Sequence, residues 1–224
     1  MATFDDLAVK KEQLVRRPMD GSAFFRPPGN AAVLDETTLF AATTGSLQVL
    51  PVASGWGDLG LLTPDGMGFS REVTNSEIMA FGRQTAVRSD IVSDTTSLNI
   101  VAIETNLISI GLGTGANITK SSRNATNGSL MIKKPPRPTA REYEVLTLAV
   151  DNTDKGPIYI GRYMPKAKVT GFSDQALGGT DNAIEWGTTL TSNFSAKHGF
   201  SEAWLFGGEG WKALLVDMGF DAVT

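Results

Sequence analysis

Residues 55–106 place the tightest constraint on what this chain can fold into. Short apolar runs alternate there with clusters of Gly, Pro, Asp and Asn. Turn-forming residues between short apolar runs are typical of consecutive β-strands joined by tight turns. We therefore expect a β-turn at residues 63–66, where Pro64 presets φ and Gly66 accepts a positive φ. Strands are expected at residues 67–74, 77–81, 84–92 and 96–104.

The remainder of the chain continues this pattern. In the middle of the chain a short helix is expected at residues 104–112, ended by Gly111 or Gly113. In the strand at residues 142–150, Leu146, Leu148 and Val150 share one face with Glu144. The fold class expected is mainly β, a sandwich or barrel with one short flanking helix and extended arms and loops. Further strands are expected at residues 37–53 (two short ones), 157–164, 183–191, 200–206 and 210–218.

Composition and charge narrow the classes of function. The chain has 224 residues, no cysteine, a net charge of −4 and a pI of about 5.1. Disulfides and thiolate metal sites are thereby excluded, and an acidic chain is a poor binder of nucleic-acid phosphates. No apolar run approaches the length of a bilayer-crossing helix, and the acidic start of the sequence does not resemble a secretory signal. We expect a protein made and folded in a reducing cytoplasm.

A dinucleotide fingerprint is matched at residues 111–116, which have the form G-x-G-x-x-A. The motif binds pyrophosphate only between a strand and the start of a helix, with an acid about 20 residues later. Here the glycines follow an expected helix, and no Asp or Glu occurs between Ala116 and Glu142. We interpret the glycines as a helix stop.

A calcium loop and a catalytic triad are the other two sites that the sequence suggests, and each lacks required residues. Residues 151–156 resemble the start of a calcium loop, but Thr153 and Lys155 occupy ligand positions and Arg162 stands where a bidentate Glu is needed. His198 is the single histidine, beside a glycine in an expected turn, and is interpreted as a surface residue. A Ser–His–acid triad would have to use it, and no G-x-S-x-G elbow is present. We expect no catalytic residue, no metal and no cofactor.

The first 45 residues are expected to form an N-terminal arm, and residues 46–224 a single β-rich domain. Phe24 and Phe25, followed by Arg26, lie in a segment rich in Pro and Gly that is too short to form a core of its own. Two interpretations are open at this point. The aromatic pair packs on the chain's own core, or the segment docks on a neighbouring subunit.

One basic cluster stands out in an acidic chain. It comprises Lys133, Lys134, Arg137 and Arg141 in a proline-rich connection that cannot lie inside a sheet. A solvated loop is one interpretation. The other is a contact with an acidic surface on a neighbouring copy.

The order of features resembles a known family. Trp56 is followed by LGLLTPDGMGFSREV, then AFGRQTAVRSD, then a long strand running into ETNLISIG, and later YMPKAKVTGFSDQAL and NAIEWGTTLTS. This order, over about residues 45–206, is similar to the major tail proteins of long-tailed bacteriophages with non-contractile tails. Each motif is weakly specific, so the resemblance depends on their order.

The resemblance implies a structural virion protein without catalysis. Six copies would join into a ring, and rings would stack into the tail tube that conducts DNA during ejection into the host. The implied partners are further copies of the chain, and the tape-measure, tail-terminator and distal tail proteins. DNA would pass without specific binding, and no membrane would be involved. The implied location is the virion tail, assembled in the host bacterial cytoplasm.

The resemblance also suggests roles for individual residues. Phe24, Phe25 and Arg26 are candidates for an inter-subunit arm. Asp94 and Glu185 are candidates for acids that face the lumen and repel DNA. Candidates for inter-ring loops are Pro64, Asp65, Lys133, Lys134 and Arg137.

A β-sandwich binding or adhesion module, directed at carbohydrate or a host surface, is the alternative. Such a module is expected to present clustered aromatic side chains on one exposed face. The four tryptophans instead lie in or beside apolar strands of the sequence, at positions 56, 186, 204 and 211. An enzyme ranks third.

Overall fold

The computed structural model of the chain describes residues 4, 8, 10–28, 34–48, 50, 55–134, 136, 139–178 and 183–223. In these residues the fold is mainly β, as the sequence predicted. Eight strands form one antiparallel sheet. They are β1 (Asp20–Arg26), β2 (Gly57–Asp58), β3 (Leu62–Ile78), β4 (Arg88–Ala102), β5 (Glu142–Thr153), β6 (Gly156–Phe172), β7 (Trp186–Ser192) and β8 (Ala203–Gly207).

Within the described part of the chain three helices accompany the sheet, where the sequence predicted one. They are α1 (Glu36–Leu39), α2 (Leu107–Thr114) and α3 (Glu209–Met218), with a 3-10 turn at Glu12–Leu14. The strand order is β2-β1-β5-β6-β7-β4-β3, and β8 pairs with β6 beside that path. The first half of β6 pairs with β8 and its second half with β7.

The middle of the sheet is covered on both faces. On β5, Val145 faces one hydrophobic cluster, whereas Leu146 and Leu148 face the other. Glu144 lies on the Leu146 face, as predicted from the alternation of the strand. The first cluster is closed by Leu112 of α2, and the second by Leu39, Phe40 and Trp56.

The sheet curls over the first cluster. In the strand order β3 is separated from β6 by β7 and β4, yet the Phe69 ring of β3 lies 4.0 Å from the Arg162 guanidinium of β6. Met67 of β3 likewise lies close to Gly21 of β1. The edge strand therefore folds over the sheet to which it belongs.

The middle of the chain differs from prediction in how its strands are divided. Two long strands, β3 and β4, form one hairpin where four shorter strands were expected. Residues 63–66 do not reverse the chain. They form an irregularity within β3, between the pairs Leu62–Ala102 and Met67–Ile100, in which Gly66 has φ +67°. The turn-forming residues accommodate the irregularity because one class of bulge, like several turns, places a glycine at positive φ.

Two further predicted strand regions are helical. Residues 36–39 form α1 because the Asp35 side chain accepts a 2.8 Å hydrogen bond from the Thr38 amide and completes a capping box. Residues 209–218 form α3, which buries Leu214 and ends at Gly219 with φ +94°. A glycine at positive φ is a common helix stop.

The predicted helix exists but is displaced towards the C-terminus. Asn106 caps α2 by accepting hydrogen bonds from the amides of Ile108 and Ser109, and Gly115 ends it at φ +65°. The glycine-rich motif thus lies at a helix C-terminus, which confirms its interpretation as a stop. The predicted stop residues, Gly111 and Gly113, lie inside the helix, so the choice of residue was wrong. Position 113 requires glycine because a Cβ there would lie 2.7 Å from the Trp186 ring.

The predicted N-terminal arm is interrupted by a strand of the main sheet. β1 pairs with β2 on one side and with β5 along its whole length on the other. A boundary at residue 45 therefore divides the sheet rather than separating an arm from it.

Candidate functional site

A two-stranded ribbon projects from the sheet. β4 pairs with β7 only through residues 97–102, so over residues 70–94 the strands β3 and β4 pair only with each other among the described strands. Nearly every residue of this ribbon is exposed; Ala80 and Ala86 are half-buried. Isolated two-stranded hairpins are at best marginally stable in water, so a ribbon of this length benefits from a partner surface.

The ribbon carries apolar side chains on both faces. Val73 and Ile78 are five residues apart in β3, so they point to opposite faces. Ile91 and Val92 of β4 are 67% and 66% exposed. Phe81, beyond the end of β3, is fully exposed. Several exposed apolar side chains within one ribbon are suited to contact with a partner surface. The exposed apolar residues of the ribbon are Val73, Ile78, Met79, Phe81, Val87, Ile91 and Val92.

β3 also presents an open edge. It is the last strand of the sheet order and pairs with β4 alone among the described strands. The outer edge of a long strand carries unpaired N–H and C=O groups that can pair with another chain. The ribbon therefore offers both an apolar surface and a hydrogen-bonding edge.

Charged side chains on the ribbon pair with each other. Arg71 donates from Nε to Asp94 at 2.7 Å across the two strands, and Arg88 pairs with Asp90 at 2.6 Å. The hydrogen bond from Arg71 lowers the pKa of Asp94. Asp94, a candidate lumen acid, thus lies on the exposed ribbon with its charge matched by a neighbouring guanidinium.

A second exposed apolar feature lies on β8 and α3. Trp204, Phe206, Trp211 and Phe220 form a run of neighbouring rings, which we call the aromatic surface. The centroids are 6.1 Å apart for Trp204–Phe206, 4.9 Å for Phe206–Trp211 and 6.3 Å for Trp211–Phe220. Trp204 is 54% exposed and Phe220 57%. The clustered aromatics that a binding module needs are therefore present, although the sequence did not predict them.

Arg162 joins the aromatic surface to the base of the ribbon. Its guanidinium lies 3.5 Å from the Trp204 ring centroid and 4.0 Å from that of Phe69, and it pairs with Glu202 at 3.0 Å. Cation–π contacts on two sides restrict this side chain. A cleft of about 870 Å³ opens beside it, lined in part by Pro64 and Asp65 of the β3 bulge.

A polar network is buried under the second hydrophobic cluster. Arg26 of β1 and Glu144 of β5 form an ion pair, and Arg26 Nε donates to Glu144 Oε2 at 2.7 Å. Tyr163 donates to the same oxygen at 3.0 Å. The Arg26 guanidinium also lies 4.5 Å from the Trp56 ring centroid. Two buried charges are thus matched by each other and by a hydroxyl.

His198 extends this network to the surface. Its Nε2 lies 3.3 Å from the Tyr163 hydroxyl, and its Nδ1 lies 2.9 Å from Ser195 Oγ. Burial lowers the pKa of His198, and burial with the nearby Glu144 raises that of Tyr163. The sequence predicted a surface histidine; the structure shows it half-buried and bonded on both nitrogens.

The network differs from a catalytic triad in its geometry. The acid contacts Tyr163 and Arg26, whereas a triad requires it to bond the imidazole directly. Ser195 bonds His198 within a single turn, in which the amide of His198 also donates to the Ser195 carbonyl. The contacts are those of a structural network that ties a surface turn to the sheet.

The candidate arm residues belong to the chain's own fold. Phe25 is 2% exposed in the first cluster, and Phe24 packs against the second. Arg26 is 2% exposed in the buried ion pair. Of the two interpretations left open by the sequence, packing on the chain's own core describes all three residues.

The other candidate residues lie apart from one another. Pro64 and Asp65 are exposed in the β3 bulge. Lys133 and Lys134 are exposed in the connection between α2 and β5, and Arg137 lies outside the described residues. Glu185 is exposed directly before β7, where its carbonyl accepts a 3.1 Å hydrogen bond from Gln175. The structure does not bring these residues together into one site.

Neither a protein-family model nor a curated protein sequence matches this chain. Within the described residues, no group of three or more His, Cys, Asp or Glu side chains could bind a metal ion. No helix in that part of the chain is long and apolar enough to cross a membrane.

Proposed function

We propose that this chain is a structural virion protein that assembles with copies of itself. In this proposal six copies close into a ring, and stacked rings form the tail tube of a long-tailed phage with a non-contractile tail. The tube conducts DNA into the host, and the chain performs no catalysis. Its further partners are the tape-measure, tail-terminator and distal tail proteins, and its location is the virion tail.

The projecting ribbon is the observation that carries the proposal. Its open β3 edge and its exposed apolar side chains are suited to a partner chain, and a ring of copies would remove such edges. A contact between two different surfaces of identical copies generates rings when it closes and filaments when it does not. The mainly antiparallel β fold is compatible with this role, and the resemblance in motif order supplies the tail-tube assignment.

Electron microscopy of the purified chain tests the proposal directly. We expect rings or hollow tubes in negative stain at high protein concentration. Threonine at positions 73, 91 and 92 (Val73→Thr, Ile91→Thr, Val92→Thr) removes apolar surface from the ribbon but retains strand propensity. This variant should remain folded and assemble poorly, because the substituted side chains are exposed in the single chain.

A matched control separates the ribbon from surface hydrophobicity in general. Met131→Thr with Leu177→Thr removes apolar side chains that are 81% and 78% exposed away from the ribbon. The control should assemble as the unaltered chain does. A strictly monomeric unaltered chain at high concentration would contradict the proposal.

The aromatic surface supports a second candidate function, a carbohydrate-binding or adhesive module. Exposed aromatic rings next to polar groups are suited to such ligands. Retention of the chain on insoluble chitin or amylose, lost on Trp204→Ser, would favour this candidate. A chain that forms tubes and is not retained on either polysaccharide would oppose it.

A further inference from the structure

The rings of the aromatic surface are held in place by one another in the single chain. These exposed rings pack against one another, as the 4.9 Å separation of Phe206 and Trp211 shows, so little side-chain freedom remains to be lost on binding. Trp and Phe are enriched in the buried centres of protein interfaces. The nearest polar pair, Arg162 and Glu202, is already bonded to itself. A cluster of exposed aromatic rings is also suited to the buried centre of an interface with a protein partner.

The tip of the ribbon has complementary chemistry. We define the ribbon tip as residues 79–87, which connect β3 to β4. It exposes Met79, Phe81 and Val87, and its single charged residue is Arg83. Asp221 directly follows Phe220, at one end of the aromatic surface, and is exposed. An apolar tip with one positive charge is thus suited to an apolar surface with an acid at its rim.

The tip cannot reach the aromatic surface of its own chain. Phe69, at the base of the ribbon, already contacts Arg162 beside Trp204. The strand continues from there to Ile78, and at ~3.3 Å per residue the tip lies roughly 30 Å further on. Any contact between the two surfaces must therefore join separate copies.

We propose that the ribbon tip of one copy packs onto the aromatic surface of a second copy, with Phe81 among its rings and Arg83 beside Asp221. This inference rests on the proposed self-assembly and identifies the two surfaces that meet. The contact joins different surfaces of identical chains, so each copy has one donor and one acceptor surface. Assembly then continues from copy to copy.

Cross-linking between copies tests the contact, since the chain has no cysteine of its own. One variant carries Gln84→Cys in the tip and the other Ala222→Cys beside Phe220, so neither substitution removes a proposed contact residue. A short bis-maleimide should link the two variants when they are mixed and link each one alone far less. Ser121→Cys, in an exposed loop, replaces Ala222→Cys in the control mixture.

Charge exchange provides the second measurement. Arg83→Asp should weaken assembly about tenfold, and Asp221→Arg in the same chain should restore it. Phe81→Ser should abolish assembly, whereas the folded single chain should unfold at the same urea concentration as before because Phe81 is fully exposed.

The outcomes separate this contact from the general proposal. If Phe81→Ser still assembles and the mixed cysteine variants are not linked, the tip contact is wrong while self-assembly stands. If the unaltered chain never assembles, both proposals are wrong. If Phe220→Ser leaves assembly intact but removes retention on chitin or amylose, the aromatic surface binds carbohydrate and the tip contact is again wrong.

Discussion

Arg26 and Glu144 lie directly opposite each other on the antiparallel strands β1 and β5, and their side chains are 1% and 2% exposed. Two charges are therefore withdrawn from water at the centre of the sheet. Their desolvation is offset by the ion pair, by the Tyr163 hydroxyl and by the Trp56 ring beside the guanidinium. Such a pair is sensitive to the loss of either partner.

Removing one member of this ion pair should destabilise the fold more than removing both. Glu144→Leu leaves a buried guanidinium without its carboxylate, so we expect the free energy of unfolding to fall by about 3–5 kcal/mol. Arg26→Met with Glu144→Leu removes both charges and should cost less than the single Glu144→Leu change. Urea unfolding, monitored by circular dichroism, measures the stability of the single and the double variant. A double variant less stable than the single one would contradict the argument.

Tyr163→Phe provides the matched control for this network. It removes one hydroxyl that donates to Glu144 but leaves the ion pair in place. The expected loss is about 1 kcal/mol, the ordinary net contribution of a hydrogen bond. A loss as large as that of Glu144→Leu would show that the hydroxyl, rather than the guanidinium, compensates the buried carboxylate.

Protonation of His198 should destabilise the fold. Burial lowers the pKa of His198 below its ordinary value, with Lys197 and Arg26 adding to the effect and Glu144 opposing it. The unfolded chain then binds the proton more readily than the folded chain as the pH falls below about 6.5. The free energy of unfolding should therefore fall as the pH decreases from about 6.5 to the pKa of His198 in the folded state. Above pH 6.5 the titration of His198 should not change it.

Comparison with His198→Gln separates the loss of stability caused by protonation of His198 from any loss caused by protonation of carboxylates. Urea unfolding at pH 7.5, 6.5 and 5.5 should show a smaller decrease for the variant than for the unaltered chain. Equal decreases would mean that the histidine proton is bound equally well in both states.

Gly113 should not tolerate a side chain. A Cβ at this position would lie 2.7 Å from the Trp186 ring, which also donates from Nε1 to Thr105 at 3.1 Å. Gly113→Ala would normally favour a helix, but here it forces α2 away from β7. Overpacking of this kind costs about 1–3 kcal/mol. Gly111→Ala is the control, since the nearest atom to its Cβ is 3.8 Å away; thermal unfolding should separate the two variants.

Local sequence signals identified the β class but not the long-range arrangement. The alternation at Leu146 and Leu148 correctly predicted a strand with one shared face because it depends on neighbouring residues alone. The Pro64–Gly66 signal was local as well, but a glycine at positive φ suits both a bulge and a turn, so tertiary pairing decided between them. The helical spacing of α3 was taken for a strand because its apolar run is short.

The candidate sites were predicted less well for the same reason. The partners in the buried network, Arg26, Glu144 and His198, are far apart in sequence, and only the pairing of β1 with β5 brings the first two together. The aromatic surface joins β8, correctly predicted as a strand, to α3, which was wrongly predicted as a strand. The one available signal was the spacing of Trp204 and Phe206, which places both rings on the same face of a strand.

Thr188 offers a position where stability should increase. Its Oγ1 is buried and has no hydrogen-bond partner among the described residues. A buried hydroxyl without a partner costs about 1–3 kcal/mol, and valine has nearly the same shape. We expect Thr188→Val to raise the free energy of unfolding by about 1 kcal/mol. The neighbouring Thr189 donates from Oγ1 to Asn99 at 2.8 Å, so Thr189→Val should lower it. Urea unfolding measures the free energy of unfolding of both variants. A change in the same direction for both would contradict the argument.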